Sequence, residues 1–178
     1  TITELLETED PLVLHGYMSN SGFEDVRQKI ADNLNERFHT AFSAKNIVMT
    51  VGAAGGLNIL FKTILDPGDE VIVFAPFFGE YRSYAANFDA EVVPVVPDME
   101  TFQPDLHAFE AAVTAKTKAV IVNTPNNPTG VIYTEESMRG IAEILEKKQK
   151  EYHTDIYLVS DEPYRELVYD GMKETFLT

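Results

Sequence analysis

A chain of 178 residues can hold one domain with a substantial core and is short for two. Its 44% hydrophobic and 24% charged residues are the composition of a folded globular protein rather than a disordered one. Fourteen basic against 29 acidic residues leave a formal charge of −15, which argues against nucleic acid or an anionic membrane as partner, and the lack of cysteine excludes disulfides, thiolate metal sites and cysteine nucleophiles.

No apolar run approaches the roughly 18 residues of a membrane helix, and the opening TITELLETEDPL has no basic-then-apolar signal order. The cysteine-free composition fits a cytoplasmic protein. The chain does not open on Met and is expected to be a piece of a longer one.

In chain order, residues 22–38 carry Phe23, Val26, Ile30, Leu34 and Phe38 at helical spacing, with Ser21 placed to cap the helix. IVMT (47–50) reads as a short strand running into VGAAGG, and LNILFKTIL (57–65) as a helix. DPGD (66–69) is a turn with proline at its second position. EVIVFA (70–75) follows as a buried strand, and FFGEYRSYAANF (77–88) as a helix.

EVVPVV (91–96) is a further strand, at a sheet edge because of Pro94. DLHAFEAAV (105–113) is helical, KAVIVN (118–123) a strand, ESMRGIAEILEKKQKEY (136–152) an amphipathic helix and IYLVS (156–160) the last strand. Strands alternating with helices imply an α/β protein, a three-layer αβα sandwich on a mostly parallel sheet. Ligands of such sheets sit beyond the carboxyl ends of the strands.

Four strand ends therefore matter. After IVMT, the small residues of VGAAGG open a helix and either pack closely or offer amides to an anion. After EVIVFA, Pro76-Phe77-Phe78-Gly79-Glu80-Tyr81 supplies aromatic rings that suit a core or a flat ligand. After KAVIVN, the loop NTPNNPTG (123–130) carries Asn126 and Asn127, as a tight turn or as amide donors at that edge. After IYLVS comes Asp161-Glu162-Pro163-Tyr164, where Asp161 either caps a turn or meets a cation. An anion cradle, an aromatic plate, an amide and a carboxylate with a phenol together suit a flat, phosphorylated ligand with a ring nitrogen, as pyridoxal phosphate is. The four histidines, His15, His39, His107 and His153, show no ligand spacing, so no metal site is expected.

The ordered set YMSNSGFEDVR (17–27), TVGAAGGL (50–57), DPGDEV (66–71), PFFGEY (76–81), NNPTG (126–130) and SDEPY (160–164) resembles the fold-type I pyridoxal-phosphate aminotransferases of class I/II, the aspartate and aromatic aminotransferases. The resemblance implies a partial large cofactor-binding domain over 1–178, with 1–21 an interface segment, in a homodimer acting on an amino acid and a 2-oxo acid. It implies that Gly52, Ala53 and Ala54 hold the cofactor phosphate and that Phe78 stacks on the ring. Asn127 would donate to the ring's 3-oxygen near the substrate carboxylate, and Tyr164 to the same oxygen. Asp161 would pair with the protonated ring nitrogen, so that the ring accepts the electrons freed with the α-proton. Tyr17 would reach the phosphate of the neighbouring subunit, or serve as an ordinary half-buried tyrosine.

The resemblance also implies cis bonds at Asn127–Pro128 and Ala75–Pro76. The family's Schiff-base lysine, in an S-x-S-K-type motif, and its small C-terminal domain are not matched here, and Lys173 lacks the serine-rich context. Residues 1–178 alone are therefore expected to be inactive. The strand at 47–50 should lack its usual neighbours, leaving the segment marginal or partnered with another chain. Two alternatives keep these motifs: a carbon–sulfur lyase on the same fold, and a non-catalytic effector-binding domain of a transcription regulator. A plain nucleotide-binding α/β domain is disfavoured, because no phosphate-loop lysine follows VGAAGG.

Overall fold

The structure, a computed structural model, describes residues 1–171. Lys173 lies outside them. The chain divides into two units, residues 1–51 and the chain from Gly52 onward.

The first unit is helical. Helix α1 (Ile2–Thr8) begins with a capping box between Thr1 and Glu4, and α2 (Pro11–His15) is capped by Asp10 with proline in its first turn. Helix α3 spans Glu24–Phe38. Its N-cap is Phe23, with no side-chain cap, and not Ser21 as the sequence suggests. Gly22, at φ 95°, turns the chain between the two, so Ser21 lies short of the helix start. A Cβ on Gly22 would also meet the Met49 side chain at 2.5 Å. The Arg27 guanidinium gathers the carbonyls of Gly22, Ala44 and Ile47, which fastens α3 to the single 3₁₀ turn Ala44–Asn46.

The predicted strand at 47–50 does not form. The Met49 amide donates to the Ser21 carbonyl at 2.9 Å, and no strand pairs with this segment among the described residues. Without a ladder an extended apolar segment remains coil. Val48 and Met49 stay exposed.

The second unit carries the sheet. Strands β1 (Glu70–Phe74), β2 (Glu91–Val95), β3 (Thr117–Asn123) and β4 (Tyr157–Asp161) lie in the order β2-β1-β3-β4, and every pairing is parallel. Residues alternate between the two faces as the pleat requires. Val71, Val73, Ala119 and Ile121 pack toward Leu57 and Phe61 of α4 (Gly52–Ile64) and Tyr81 and Ala85 of α5 (Tyr81–Ala86). Ile72, Phe74, Val120 and Val122 pack toward Phe109 of α6 (Leu106–Ala112) and Ile141 and Leu145 of α7 (Glu135–Tyr152). One sheet between two helical layers is the expected αβα sandwich.

Two helices depart from their predicted spans. Helix α4 starts at Gly52 rather than at residue 57, so VGAAGG is mostly helix and not loop. Helix α5 is half the length expected, because Gly79 disfavours helix and residues 77–80 run through a turn closed by Tyr81 N–H to the Phe78 carbonyl. Asp105 and Thr134 cap α6 and α7 through their side-chain oxygens. His39 and His153 end α3 and α7 in the left-handed conformation, which accounts for two of the four histidines without a ligand. Among the described residues the sheet's two edges are β2, which carries Pro94, and β4, where Tyr157 and Leu158 remain partly exposed.

Candidate functional site

Parallel strands deliver their following loops to one end of the sheet, and a cleft of about 240 Å³ opens there in the second unit. Ala53, Ala54, Phe78, Asn127, Asp161 and Tyr164, all singled out from the sequence, line it. So do Leu57, Glu80, Tyr81, Tyr84, Asn123 and Pro163. Gly52, the first residue of α4, takes φ 71°, a conformation natural to glycine, and precedes the two lining alanines. Tyr17 belongs to the other unit, where its ring is fully exposed rather than half-buried.

Asp161 is the last residue of β4, not the first beyond it. Its carboxylate accepts a 2.6 Å hydrogen bond from the Tyr81 hydroxyl. Tyr81 is 1% exposed, and its ring meets Phe78 edge to face with centroids 5.6 Å apart. Burial first, and then the hydrogen bond to Asp161, push the Tyr81 phenol far above its ordinary value, so it stays a donor at any physiological pH. Among the described residues that line the cleft there is no lysine or arginine.

The loop after β3 is heavily pinned. The Asn126 amide nitrogen donates to the Pro76 carbonyl at 3.3 Å, and its oxygen accepts from the Thr129 amide and hydroxyl at 3.2 and 2.8 Å. Asn126 is thus a structural residue and not a free donor at the cleft. Asn127, partly exposed, is the one that lines it. The peptide bonds Ala75–Pro76 and Asn127–Pro128 are cis as expected, and Thr124–Pro125, not anticipated, is cis as well. Tyr164 is 38% exposed in the turn after β4, where Leu167 N–H bonds its carbonyl at 2.8 Å. At the mouth, the Tyr84 hydroxyl donates to Glu80 at 2.8 Å, which raises the Tyr84 phenol above its usual value.

Sequence reading does not single out Tyr81 and Asn123, which line the cleft and bond to Asp161. Both stand inside quoted motifs, yet their partners lie 80 and 38 residues away, so only the strand order reveals them. Among the described residues no cluster of three or more His, Asp or Glu could hold a metal ion. No helix among them is long and apolar enough to cross a membrane.

The model of the family "Aminotransferase class I and II" matches residues 2–177. The chain is 40% identical over 158 residues to a probable aspartate/prephenate aminotransferase of Thermus aquaticus, covering 87% of this chain and 39% of that protein. It is 38% identical over 155 residues to an aspartate aminotransferase of Thermotoga maritima, again covering 39% of the relative. The chain thus spans about two fifths of the length of these relatives. Among solved structures, an aminotransferase from Eubacterium rectale superposes with a TM-score of 0.90 at 44% identity, over 98% of this chain and 44% of that one. The aspartate aminotransferase of Thermus thermophilus with maleate superposes at 0.81 with 34% identity, over 92% and 42%.

Proposed function

The chain belongs to the class I and II aminotransferase family, and from that membership we propose that it is the larger part of the cofactor domain of a pyridoxal-phosphate-dependent aminotransferase. The whole protein would move an amino group between an amino acid and a 2-oxo acid in the cytoplasm. Relatives named for aspartate make aspartate the first amino donor to test.

The observation that carries this reading is the Asp161 carboxylate, held by Tyr81 in a cleft that Ala53, Ala54, Phe78, Asn127 and Tyr164 also line. The donor set fits pyridoxal phosphate. Gly52, Ala53 and Ala54 would hold its phosphate at the N-terminus of α4, where amides point outward and the helix dipole favours an anion. The Phe78 ring would lie against the pyridine face. Asn127 and Tyr164 would donate to the 3-oxygen, and Asn127 would also stand near the substrate carboxylate. Asp161 would keep the ring nitrogen protonated.

When bound, the cofactor supplies an electron sink for the α-carbon of the amino acid. The chain's own contribution is electrostatic. A carboxylate fixed by a buried hydroxyl needs no reorganisation to hold a proton on the ring. The family's Schiff-base lysine is not assigned to any residue of 1–178, so turnover is proposed for the whole protein and cofactor contact for this chain. The homodimer reading draws support from the exposed apolar residues of α1 and α2, Ile2, Leu5, Leu6, Leu12 and Val13, which suit a protein partner better than water. In that homodimer Tyr17 would serve the partner's phosphate.

Titration of the complete protein with pyridoxal phosphate, followed by absorbance, is expected to saturate. Aspartate and 2-oxoglutarate should then exchange amino groups. Asp161→Asn should lower the rate on the order of 10²–10³-fold. Absence of cofactor binding would refute the reading, and breakdown of a thioether amino acid without an amino acceptor would redirect it to a lyase.

A further inference from the structure

Asn123 ends β3 opposite Asp161 at the end of β4, the two standing in register. Asn123 is 5% exposed, and its side chain is used at both ends. Its Nδ2 donates to the Asp161 main-chain carbonyl at 2.8 Å, and its Oδ1 accepts from the Asn127 amide at 2.7 Å. Resting on the proposed cofactor site, we infer that Asn123 is a positioning residue that sets Asn127 and Asp161 at the separation one ligand ring demands.

The chemistry singles out an amide. Asparagine offers a donor and an acceptor on one short planar group, whereas aspartate offers only acceptors and leucine neither. The flipped amide would set oxygen against the Asp161 carbonyl and NH₂ against the Asn127 N–H, so the partners fix its orientation. The rest of the loop is tied elsewhere. Asn126 holds Pro76 and Thr129, and the Asn126 backbone pairs with Gly130 and Val131. Asn123 is therefore the side chain through which Asn127 is referred to the end of β4.

That geometry has a functional meaning. Asn127 and Asp161 would address two different atoms of one rigid ring, its 3-oxygen and its nitrogen. Each contact is good only if the other is, because the ring cannot stretch. A side chain bonded to both main chains fixes that spacing before the ligand arrives, which is preorganisation rather than a contact of its own.

The test is a double-mutant cycle on pyridoxal phosphate affinity in the complete protein, combining Asn123→Ala with Asn127→Ala. Each single change should weaken binding about tenfold. The double variant should lose well under the product of the two, because Asn123 acts through Asn127. Hydrogen exchange at the Asn127 amide, read without cofactor, should quicken in Asn123→Ala. If that variant does not fold, Asn123→Ser takes its place in both measurements.

Additive losses in the cycle, or unchanged exchange at Asn127, would overturn the inference while leaving the cofactor site standing. Failure of the unsubstituted protein to bind pyridoxal phosphate would overturn the proposed function, and with it the role of this tie.

Discussion

The Tyr81 hydroxyl reaches Asp161 from inside the core, so one residue both fills space under the sheet and holds the cleft's carboxylate. Tyr81→Phe keeps the ring and removes the donor. A hydrogen bond to a charged group contributes about 1.5–3 kcal/mol, so kcat/KM of the complete protein should fall roughly tenfold to hundredfold while the fold survives. Stopped-assay kinetics beside a thermal melt separate the two effects. Tyr81 also contributes to pH dependence, with Tyr133, whose phenol burial pushes up to about 12. Both groups resist ionisation when folded, whereas in the unfolded chain they ionise near about pH 10. The unfolded state thus holds fewer of these protons above that point, and stability falls as pH rises from about 10 toward 12. Below about pH 10 the contribution is complete. Urea midpoints measured across this range should decline, and Tyr133→Phe should flatten the decline.

Elements meet where side chains permit it, and Gly140 marks such a place. It sits in the first half of α7, where a Cβ would come within 2.3 Å of Leu106 Cδ1 on α6. A bare methyl could be met by a shift of the leucine tip and would gain helix propensity, so Gly140→Ala has opposing terms. A branched side chain has no such escape. Gly140→Val should destabilise by about 1–3 kcal/mol through overpacking, measured as a fall in the urea midpoint at unchanged slope. The same elements show what patterning alone can tell. The alternation in EVIVF and TKAVIVN, with helical stretches between, is enough to infer a parallel sheet covered on both faces. IVMT carries a similar local signal and forms no strand, because a strand is a property of two segments and no second one lies beside it among the described residues. Helix α5 is shorter than its pattern predicts for a different reason: its aromatic spacing is helical, but Gly79 and the turn at 77–80 postpone the start.

At the scale of the molecule, the cleft was legible as a set of strand ends and not as a network. Ala53, Ala54, Phe78, Asn127, Asp161 and Tyr164 announce themselves by following apolar runs, whereas Asn123 and Tyr81 act through partners that adjacency of β3 and β4, or of α5 and β4, brings near. Sequence separation hides such pairs, and strand order β2-β1-β3-β4 exposes them. The order also leaves two unlike margins. Pro94 lacks an amide hydrogen and breaks the hydrogen-bonding row of β2, a common safeguard for an outer strand. Strand β4, YLVSD, has no proline and no lysine, and Tyr157 and Leu158 are 44% and 38% exposed. Its outer backbone row is a template on which a further strand can grow. Residues 1–178 produced alone should therefore self-associate with rising concentration in sedimentation velocity, and Leu158→Lys should suppress it. A species of constant mass at every concentration would refute this. The strand that carries Asp161 to the cleft is thus also an open edge among the described residues, so the chain's tendency to associate and its candidate site depend on the same strand.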